Sequence, residues 1–305
     1  MYLRPQKPST DPRLRSLLQK AVRRGYASLV ERVVALLVSI GDSTWLRSRT
    51  VVITFEECWP LGRSLFLDRS LSSKVDALIA TTRSTKQKDA AGLGALAHAY
   101  RAGDRSMLGI VPDKHLLRMV AESLDRPNDF FRWAHVAAEQ KNSHRAVHAA
   151  QHYLSAATWE WDKACILAGA LLAVRGCIPD IAQTTTGSNL ADFPYWAALD
   201  KHTSEGKAAL RDVARSAKVT YRQLIWTSFY CESACVNNLL TSPWFIAERS
   251  WRLGRANTSY EAAQQLWSHT SKLVCERLSE EAAKLERLME SDVPACFEEA
   301  RLSLR

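Results

Sequence analysis

The stretch LRSLLQKAVRRGYASLVERVVALLVSIGDSTWLRSRTVVITFEECWPL, residues 14–61, holds the clearest helix start and stop signals of the chain. It follows Asp11-Pro12; aspartate is a favoured N-cap, and proline at the first helical position has no N–H to leave unpaired. Gly25 and Gly41 close the next two segments, and glycine tolerates the left-handed conformation in which helices often end. The stretch therefore predicts two successive helices, ending at Gly25 and at Gly41.

A third helix is predicted over Trp45–Cys58, with Asp42 or Ser43 as its N-cap and Pro60 just beyond its end. Residues 51–55 are rich in β-branched side chains and would also suit a strand. Elsewhere the apolar residues recur at helical spacing, and the two-residue alternation of strands is nearly absent. We therefore predict an all-α protein, either a multi-helix bundle or an irregular array of helical hairpins.

Residues 14–61 resemble the helical region that follows the ATPase domain in replication-associated recombination protein A and related clamp-loader proteins. The resemblance rests on Gly41-Asp42 at the end of an apolar helix, on Arg49 in the next helix, and on Glu57 after a Val-Val-Ile run. It covers only this part of the chain. It implies an oligomerising, collar-like role beside an ATPase that another chain supplies.

The chain departs from that family at two positions of the third helix. Thr50 stands where the second arginine of the family pattern would be, and Cys58 stands where the second acid would be. One arginine of the family's arginine pair and one acid of its acidic pair therefore remain in this chain.

Nucleotide-binding glycine loops are absent from the sequence. No GxxxxGK[ST] motif occurs, and no GxGxxG follows a plausible strand, so a self-contained nucleotide-hydrolysing domain is not expected. Gly92 and Gly94 lie within a helix predicted over residues 89–100. At those positions they are expected to allow close helix packing.

The positive charge of the chain is concentrated in its first third. The net charge is +9; residues 1–105 hold 18 Lys and Arg against 9 Asp and Glu, and residues 106–305 are balanced. Neutralising phosphates releases bound counterions and dominates non-specific binding to nucleic acid. The distribution therefore predicts a polyanion-binding surface on the N-terminal third, the alternative being a basic surface that is only solvated.

The predicted nucleic-acid contacts are basic side chains of this third and one aromatic ring. Trp45 lies near Arg47 and Arg49 in the sequence and is the candidate for stacking on a base, whereas most other tryptophans are expected to anchor helix contacts. The candidate phosphate contacts are Arg13, Arg15, Lys20, Arg23, Arg24, Arg47, Arg49, Lys86 and Lys88.

A histidine stripe is the other pattern that bears on chemistry. His144, His148 and His152 are four residues apart and share one helix face, and His135 lies on the preceding predicted helix. Histidines at this spacing can chelate zinc or copper. No carboxylate completes the set at the spacing of metallohydrolases, so a solvated histidine face is the favoured interpretation, and no cofactor is predicted.

A polar cluster precedes a helix predicted from Thr203 or Ser204 to Ala217. It comprises Asp200, Lys201, His202, Thr203 and Lys207, and an Asp and a His two residues apart can share acid–base work. No serine or cysteine nucleophile can be tied to them from the sequence. Helix capping with surface charge is the favoured interpretation. A further helix is predicted over residues 221–240.

Breaks in helical patterning suggest four segments. Residues 1–10 contain two prolines and no periodicity and are predicted to be a flexible arm. An N-terminal helical domain is predicted over residues 11–175, a linker or surface loop over residues 176–194, and a C-terminal helical domain over residues 195–305.

Composition indicates a reducing compartment. The 305 residues are 47% hydrophobic, enough for a substantial core, and the seven cysteines show no paired, regular spacing. No apolar run approaches the roughly 20 residues that span a bilayer, and the first residues lack the apolar core of a signal peptide. We therefore expect a cytoplasmic protein with no membrane partner.

These observations favour a non-enzymatic protein that binds nucleic acid, or that assembles with replication or recombination proteins through its basic N-terminal helices. Expected partners are DNA or another nucleic acid, a partner ATPase or replication protein, and a second copy of the chain. A metal-dependent enzyme that uses the histidine stripe and a purely structural assembly subunit are the alternatives.

Overall fold

The computed structural model confirms the all-α prediction. It describes residues 11–66, 70–155, 157–176, 178–184, 187, 189–236 and 239–291. The predicted arm, residues 1–10, lies outside them. The described residues form thirteen α-helices, and β-structure among them is limited to three isolated bridges. The helices are α1 Pro12–Arg24, α2 Ala27–Ser39, α3 Ser43–Cys58, α4 Leu71–Thr82, α5 Asp89–Arg101, α6 Lys114–Ser123, α7 Pro127–Ala137, α8 Lys141–Leu154, α9 Glu160–Arg175, α10 Ser204–Ser216, α11 Tyr221–Ser228, α12 Pro243–Gly254 and α13 Tyr260–Glu290.

The first two helices begin and end as their sequence signals predict. The Asp11 carboxylate accepts the Arg13 N–H at 2.8 Å and so caps α1, which begins at Pro12. Gly25 and Gly41 both adopt φ of +80°, the left-handed conformation that glycine makes inexpensive. Local chemistry therefore determines where these helices begin and stop.

Two other expectations about helix ends were wrong. Asp42 precedes α3 but makes no side-chain capping bond, because its carboxylate pairs with Arg15 of α1 instead. The helix predicted over residues 221–240 ends at Ser228 and continues only as a π-helical turn, Phe229–Ser233. In both places a tertiary contact or a local change of hydrogen bonding outweighs the sequence pattern. The β-branched residues 51–55 lie within α3.

Helix α3 lies between two hydrophobic clusters. Its residues Val51 and Phe55 pack into a cluster formed by α5 to α9 together with α12. Its residues Leu46 and Ile53 pack into a second cluster formed by α1, α2 and α4 together with α10, α11 and α13. Each cluster thus combines helices from both sides of residues 176–194, and the division into two domains stays a prediction.

Backbone hydrogen bonds tie part of residues 176–194 to the N-terminal helices. The Thr85 N–H donates to the Ala182 carbonyl at 2.9 Å, and the Thr184 N–H donates to the Arg83 carbonyl at 2.7 Å. The described part of this segment therefore lies against the end of α4.

Two glycines allow α5 to pass close to its neighbours, as their helical position predicts. A Cβ on Gly92 would lie 2.3 Å from the backbone carbonyl carbon of Trp244 in α12, and one on Gly94 would lie 2.6 Å from the backbone nitrogen of Cys165 in α9. These contacts pack the N-terminal half of α5 directly against α12 and α9. None of the described helices is both long enough and apolar enough to cross a membrane.

Candidate functional site

A cleft of about 780 Å³ lies between the N-terminal helices and the C-terminal half of the chain, and we call it the central cleft. It is bordered by α1, α3, the starts of α5 and α9, the segment before α10, the π-helical turn and α12. Its charged walls are Arg15, Lys20, Arg23, Arg49, Lys88, Lys201 and Arg252, with Glu56, Asp162 and Glu248. Its aromatic walls are Trp45, Trp159, Trp161, Trp226, Phe229 and Phe245, and His202 also lines it.

Helical periodicity explains why two helices contribute so many of these residues. Side chains three or four positions apart share a helix face. The residues that α1 presents to the central cleft follow this spacing: Pro12, Arg15, Ser16, Gln19, Lys20 and Arg23. Those of α3 do the same: Trp45, Ser48, Arg49, Val52 and Glu56. One face of each helix is therefore polar or aromatic although the helix is part of the core.

Lys20 and Asp200 form a buried ion pair between α1 and the segment before α10. Both side chains are almost fully buried, and the Lys20 ammonium also donates to the Ser16 hydroxyl at 3.1 Å. Burial is the largest single influence and would raise the pKa of Asp200, but the charge and hydrogen bond of Lys20 together with those of His202 outweigh it and lower that pKa to about 2. The predicted polar cluster therefore holds a structural ion pair that joins residues 180 positions apart.

Glu57 is the buried centre of a second network. Its carboxylate accepts from Arg23 Nε at 2.7 Å and from Lys88 Nζ at 2.7 Å, and the three side chains are at most 4% exposed. Burial alone would raise the pKa of Glu57, but the two cations outweigh it and lower that pKa to about 2. Arg23 also donates to the Ser233 carbonyl at 2.5 Å, which ties α1 to the π-helical turn.

Three more cations of the central cleft are paired with carboxylates. Arg49 Nη1 lies 2.8 Å from Asp162, and its Nη2 lies 3.2 Å from Glu56. Arg15 donates two bonds of 2.7 Å to Asp42, with its guanidinium carbon 4.8 Å from the Trp45 ring centroid. Arg252 Nε donates to Glu248 at 2.5 Å.

Lys201 differs from these six cations. Its Nζ lies 3.7 Å from the ring centroid of Trp226 and 3.9 Å from that of Phe229, and it forms no ion pair or hydrogen bond within the described parts of the chain. The Arg252 guanidinium is 4.5 Å from the same Trp226 ring. Burial, reinforced by the nearby Arg252 charge, lowers the pKa of Lys201 to about 7.

Six of the ten predicted nucleic-acid contacts line the central cleft: Arg15, Lys20, Arg23, Trp45, Arg49 and Lys88. The four others do not. The Lys86 ammonium is buried and donates to the carbonyls of Thr81, Thr82 and Ser84 at 2.7–3.0 Å. It therefore supplies hydrogen-bond donors to carbonyl groups at the C-terminal end of α4, where the helix itself provides none. Arg13 pairs with Asp11, Arg24 pairs with Glu232, and Arg47 is exposed outside the cleft.

The structure thus corrects the expectation of an open basic surface. Lys20, Arg23, Lys86 and Lys88 are buried side chains. Carboxylates compensate the charges of Lys20, Arg23 and Lys88, whereas Lys86 donates to backbone carbonyls. Asp200, which belongs to the charge-balanced part of the sequence, supplies part of this compensation, and Asp162 from the same part pairs with Arg49.

The histidine stripe lies on one face of α8, as its spacing predicts, and away from the central cleft. His144, His148 and His152 are all exposed, and His135 Nε2 is 2.6 Å from Gln151 Oε1. Within the described ranges, no group of three or more His, Cys, Asp or Glu side chains is placed to hold a metal ion. The three histidines of the stripe are therefore on the protein surface, and a role for them stays a prediction.

Sequence reasoning missed the C-terminal wall of the central cleft. Trp226 and Arg252 come from α11 and α12, and Trp161 opens α9. The basic residues beside tryptophan in α12 were the available signal, since arginine commonly lies over tryptophan rings. Nothing local indicated that α12 would face α1.

Comparison with known proteins gave no significant match to a family model, to a curated protein or to a solved structure.

Proposed function

We propose that the protein binds single-stranded nucleic acid in the central cleft. The observation that carries this proposal is that basic side chains and aromatic rings converge on one cavity. Proteins that hold single strands combine a positively charged groove for the backbone with aromatic rings on which bases stack. The resemblance of residues 14–61 to a clamp-loader region is consistent with such binding beside a replication or recombination ATPase.

The size of the cleft favours a flexible strand over a duplex. Its volume of about 780 Å³ lies within the range of roughly 300–1,000 Å³ in which proteins enclose small ligands. A short stretch of an unpaired strand fits this space, because its bases can separate and turn toward the walls. The stacked pairs of a duplex cannot separate in this way without losing their stacking energy.

The charge of the cleft supports an anionic ligand. Seven Lys and Arg side chains line it against three Asp and Glu side chains. Three carboxylates behind the wall, those of Asp42, Glu57 and Asp200, compensate most of the difference. A small positive excess remains in the central cleft when the Lys201 amine is protonated.

Trp159 gives the sharpest test of base stacking. It lines the cleft and is 72% exposed, so its loss removes a stacking surface without opening the core. Trp133 of α7 is also exposed and lies outside the cleft, which makes Trp133→Ala a matched control. Fluorescence anisotropy of labelled single-stranded and double-stranded oligonucleotides, measured over a salt series, compares the two variants with the native protein.

We expect the native protein to prefer the single strand and to lose affinity as salt rises. Trp159→Ala should weaken binding by about 5- to 150-fold, the equivalent of about 1–3 kcal/mol for one stacked base. Trp133→Ala should bind like the native protein. Absence of binding at low salt, or an equal loss in both variants, would contradict the proposal.

A further inference from the structure

Lys201 is the one basic side chain lining the central cleft that lacks a carboxylate partner in the described structure. Each of the other six is paired with at least one carboxylate. Its ammonium is instead held against the faces of Trp226 and Phe229 at 3.7 and 3.9 Å from the ring centroids. Attraction to ring faces replaces only part of the solvation that a largely buried ammonium loses when it leaves water.

The backbone turn that carries Lys201 is fixed on both sides. The Asp200 carboxylate accepts the His202 N–H at 2.9 Å while it pairs with Lys20. On the other side, a Cβ on Gly206 would lie 2.1 Å from the Asp200 carbonyl oxygen, so the first turn of α10 packs directly on this segment. The position of the ammonium is therefore set before any ligand arrives.

A second cation lies on the same ring. The Arg252 guanidinium carbon is 4.5 Å from the Trp226 centroid and 4.4 Å from the Trp161 centroid, and Arg252 is only singly compensated, by Glu248. The repulsion between Lys201 and Arg252 contributes to the low pKa of Lys201, about 7. An anion bound at Lys201 would offset this repulsion and supply a hydrogen-bond acceptor for the ammonium.

A terminal phosphate suits this arrangement better than a phosphate inside a strand. A phosphate monoester carries about 1.5 to 2 negative charges near pH 7, whereas an internal diester carries one. A strand end therefore brings more negative charge to Lys201 and Arg252 than an internal phosphate does.

We propose that Lys201 binds the terminal phosphate of a nucleic-acid strand, so that the protein recognises phosphorylated strand ends. This inference rests on the proposed function, since it names the group of the ligand that the central cleft selects. Trp226 and Phe229 position the ammonium, and Arg252 contributes the second positive charge.

The test uses three labelled oligonucleotides of one sequence, carrying a 5′-phosphate, a 3′-phosphate or no terminal phosphate. The full chain is compared with Lys201→Gln and Lys201→Arg. Lys207→Gln is the matched control, because Lys207 is an exposed lysine on α10 outside the cleft. Circular dichroism melting confirms that the variants are folded.

We expect one of the two terminal phosphates to tighten binding to the native protein by about 10- to 100-fold, as one charge-assisted hydrogen bond can provide. Lys201→Gln should lose this preference, so that its affinities for the phosphorylated and unphosphorylated strands become equal. Lys201→Arg should retain most of the preference, and Lys207→Gln should retain all of it.

Two outcomes would overturn the assignment. Equal affinity of the native protein for all three oligonucleotides would do so while leaving single-strand binding in place, and so would a preference that persists in Lys201→Gln. If no oligonucleotide binds, the proposed function fails, and calorimetric titration with pyrophosphate decides the role of Lys201. Saturable binding of pyrophosphate that is lost in Lys201→Gln supports phosphate binding by Lys201. Absence of pyrophosphate binding to the native protein overturns it.

Discussion

Replacing Glu57 by glutamine should destabilise the protein more than any other single change of charge in the N-terminal helices. The Glu57 carboxylate is 1% exposed and is shared by Arg23 of α1 and Lys88 at the start of α5. Glutamine keeps the shape of the side chain but has one acceptor oxygen, and its amide donors face cations. Two buried positive charges therefore lose most of their compensation.

The magnitude follows from the burial of all three groups. Removing one partner of a buried ion pair typically costs about 3–5 kcal/mol, because the remaining charge stays in the interior. Here two cations remain, but Glu56 lies 3.6 Å from Arg23 and retains part of the attraction. We therefore expect a loss of about 3–4 kcal/mol in the free energy of unfolding.

Urea denaturation followed by circular dichroism measures this loss, with Glu56→Gln as the matched control. Glu56 is the adjacent residue on α3 and its side chain is 22% exposed, so its loss should cost about 1 kcal/mol or less. A loss under about 1 kcal/mol for Glu57→Gln, or a loss equal to that of Glu56→Gln, would refute the reasoning from burial.

Two further changes test the ion-pair network and the helix packing. The pKa values of Glu57 and Asp200 are lowered to about 2, so their stabilisation is complete above their ordinary values near pH 4 to 4.5 and is lost as pH falls toward 2. The urea midpoint should accordingly fall more steeply with acid in the native protein than in Glu57→Gln, and parallel slopes would count against this role for Glu57. Gly92→Ala should cost about 1–3 kcal/mol by overpacking against the Trp244 backbone, whereas Gly254→Ala meets open space and should cost nothing in a thermal melt. Equal melting temperatures for the two alanine variants would show that α5 and α12 can move apart.

Local sequence determined where the first helices start and stop. Asp11 caps α1 by accepting the backbone N–H of Arg13, two residues later. Gly25 and Gly41 adopt the left-handed backbone conformation because glycine has no Cβ to oppose it. The shared face of the histidines on α8 is equally local, because a spacing of four repeats the helix period. These features depend on neighbours within one or two turns, which is why the pattern of the sequence was sufficient to predict them.

The candidate site depended on contacts that no local pattern contains. Asp42 is a suitable N-cap by position, yet Arg15, 27 residues away, takes its carboxylate. The basic face of α1 was visible in the sequence, but its exposure depends on which acids pack against it. Lys20 meets an aspartate 180 residues away, so an expected phosphate contact became a buried ion pair.

The sequence by itself therefore determined an all-α chain, the ends of its first helices and the concentration of positive charge in its first third. Only the tertiary structure decided that part of this charge faces a cleft and that α11 and α12 complete the cleft with aromatic rings. It also decided that Lys201 pairs with no carboxylate among the residues that the structure describes. The physical reason is that helix formation is settled by hydrogen bonds and periodicity over a few residues. The energy of a charge depends on burial and on distances to partners that are remote in the sequence.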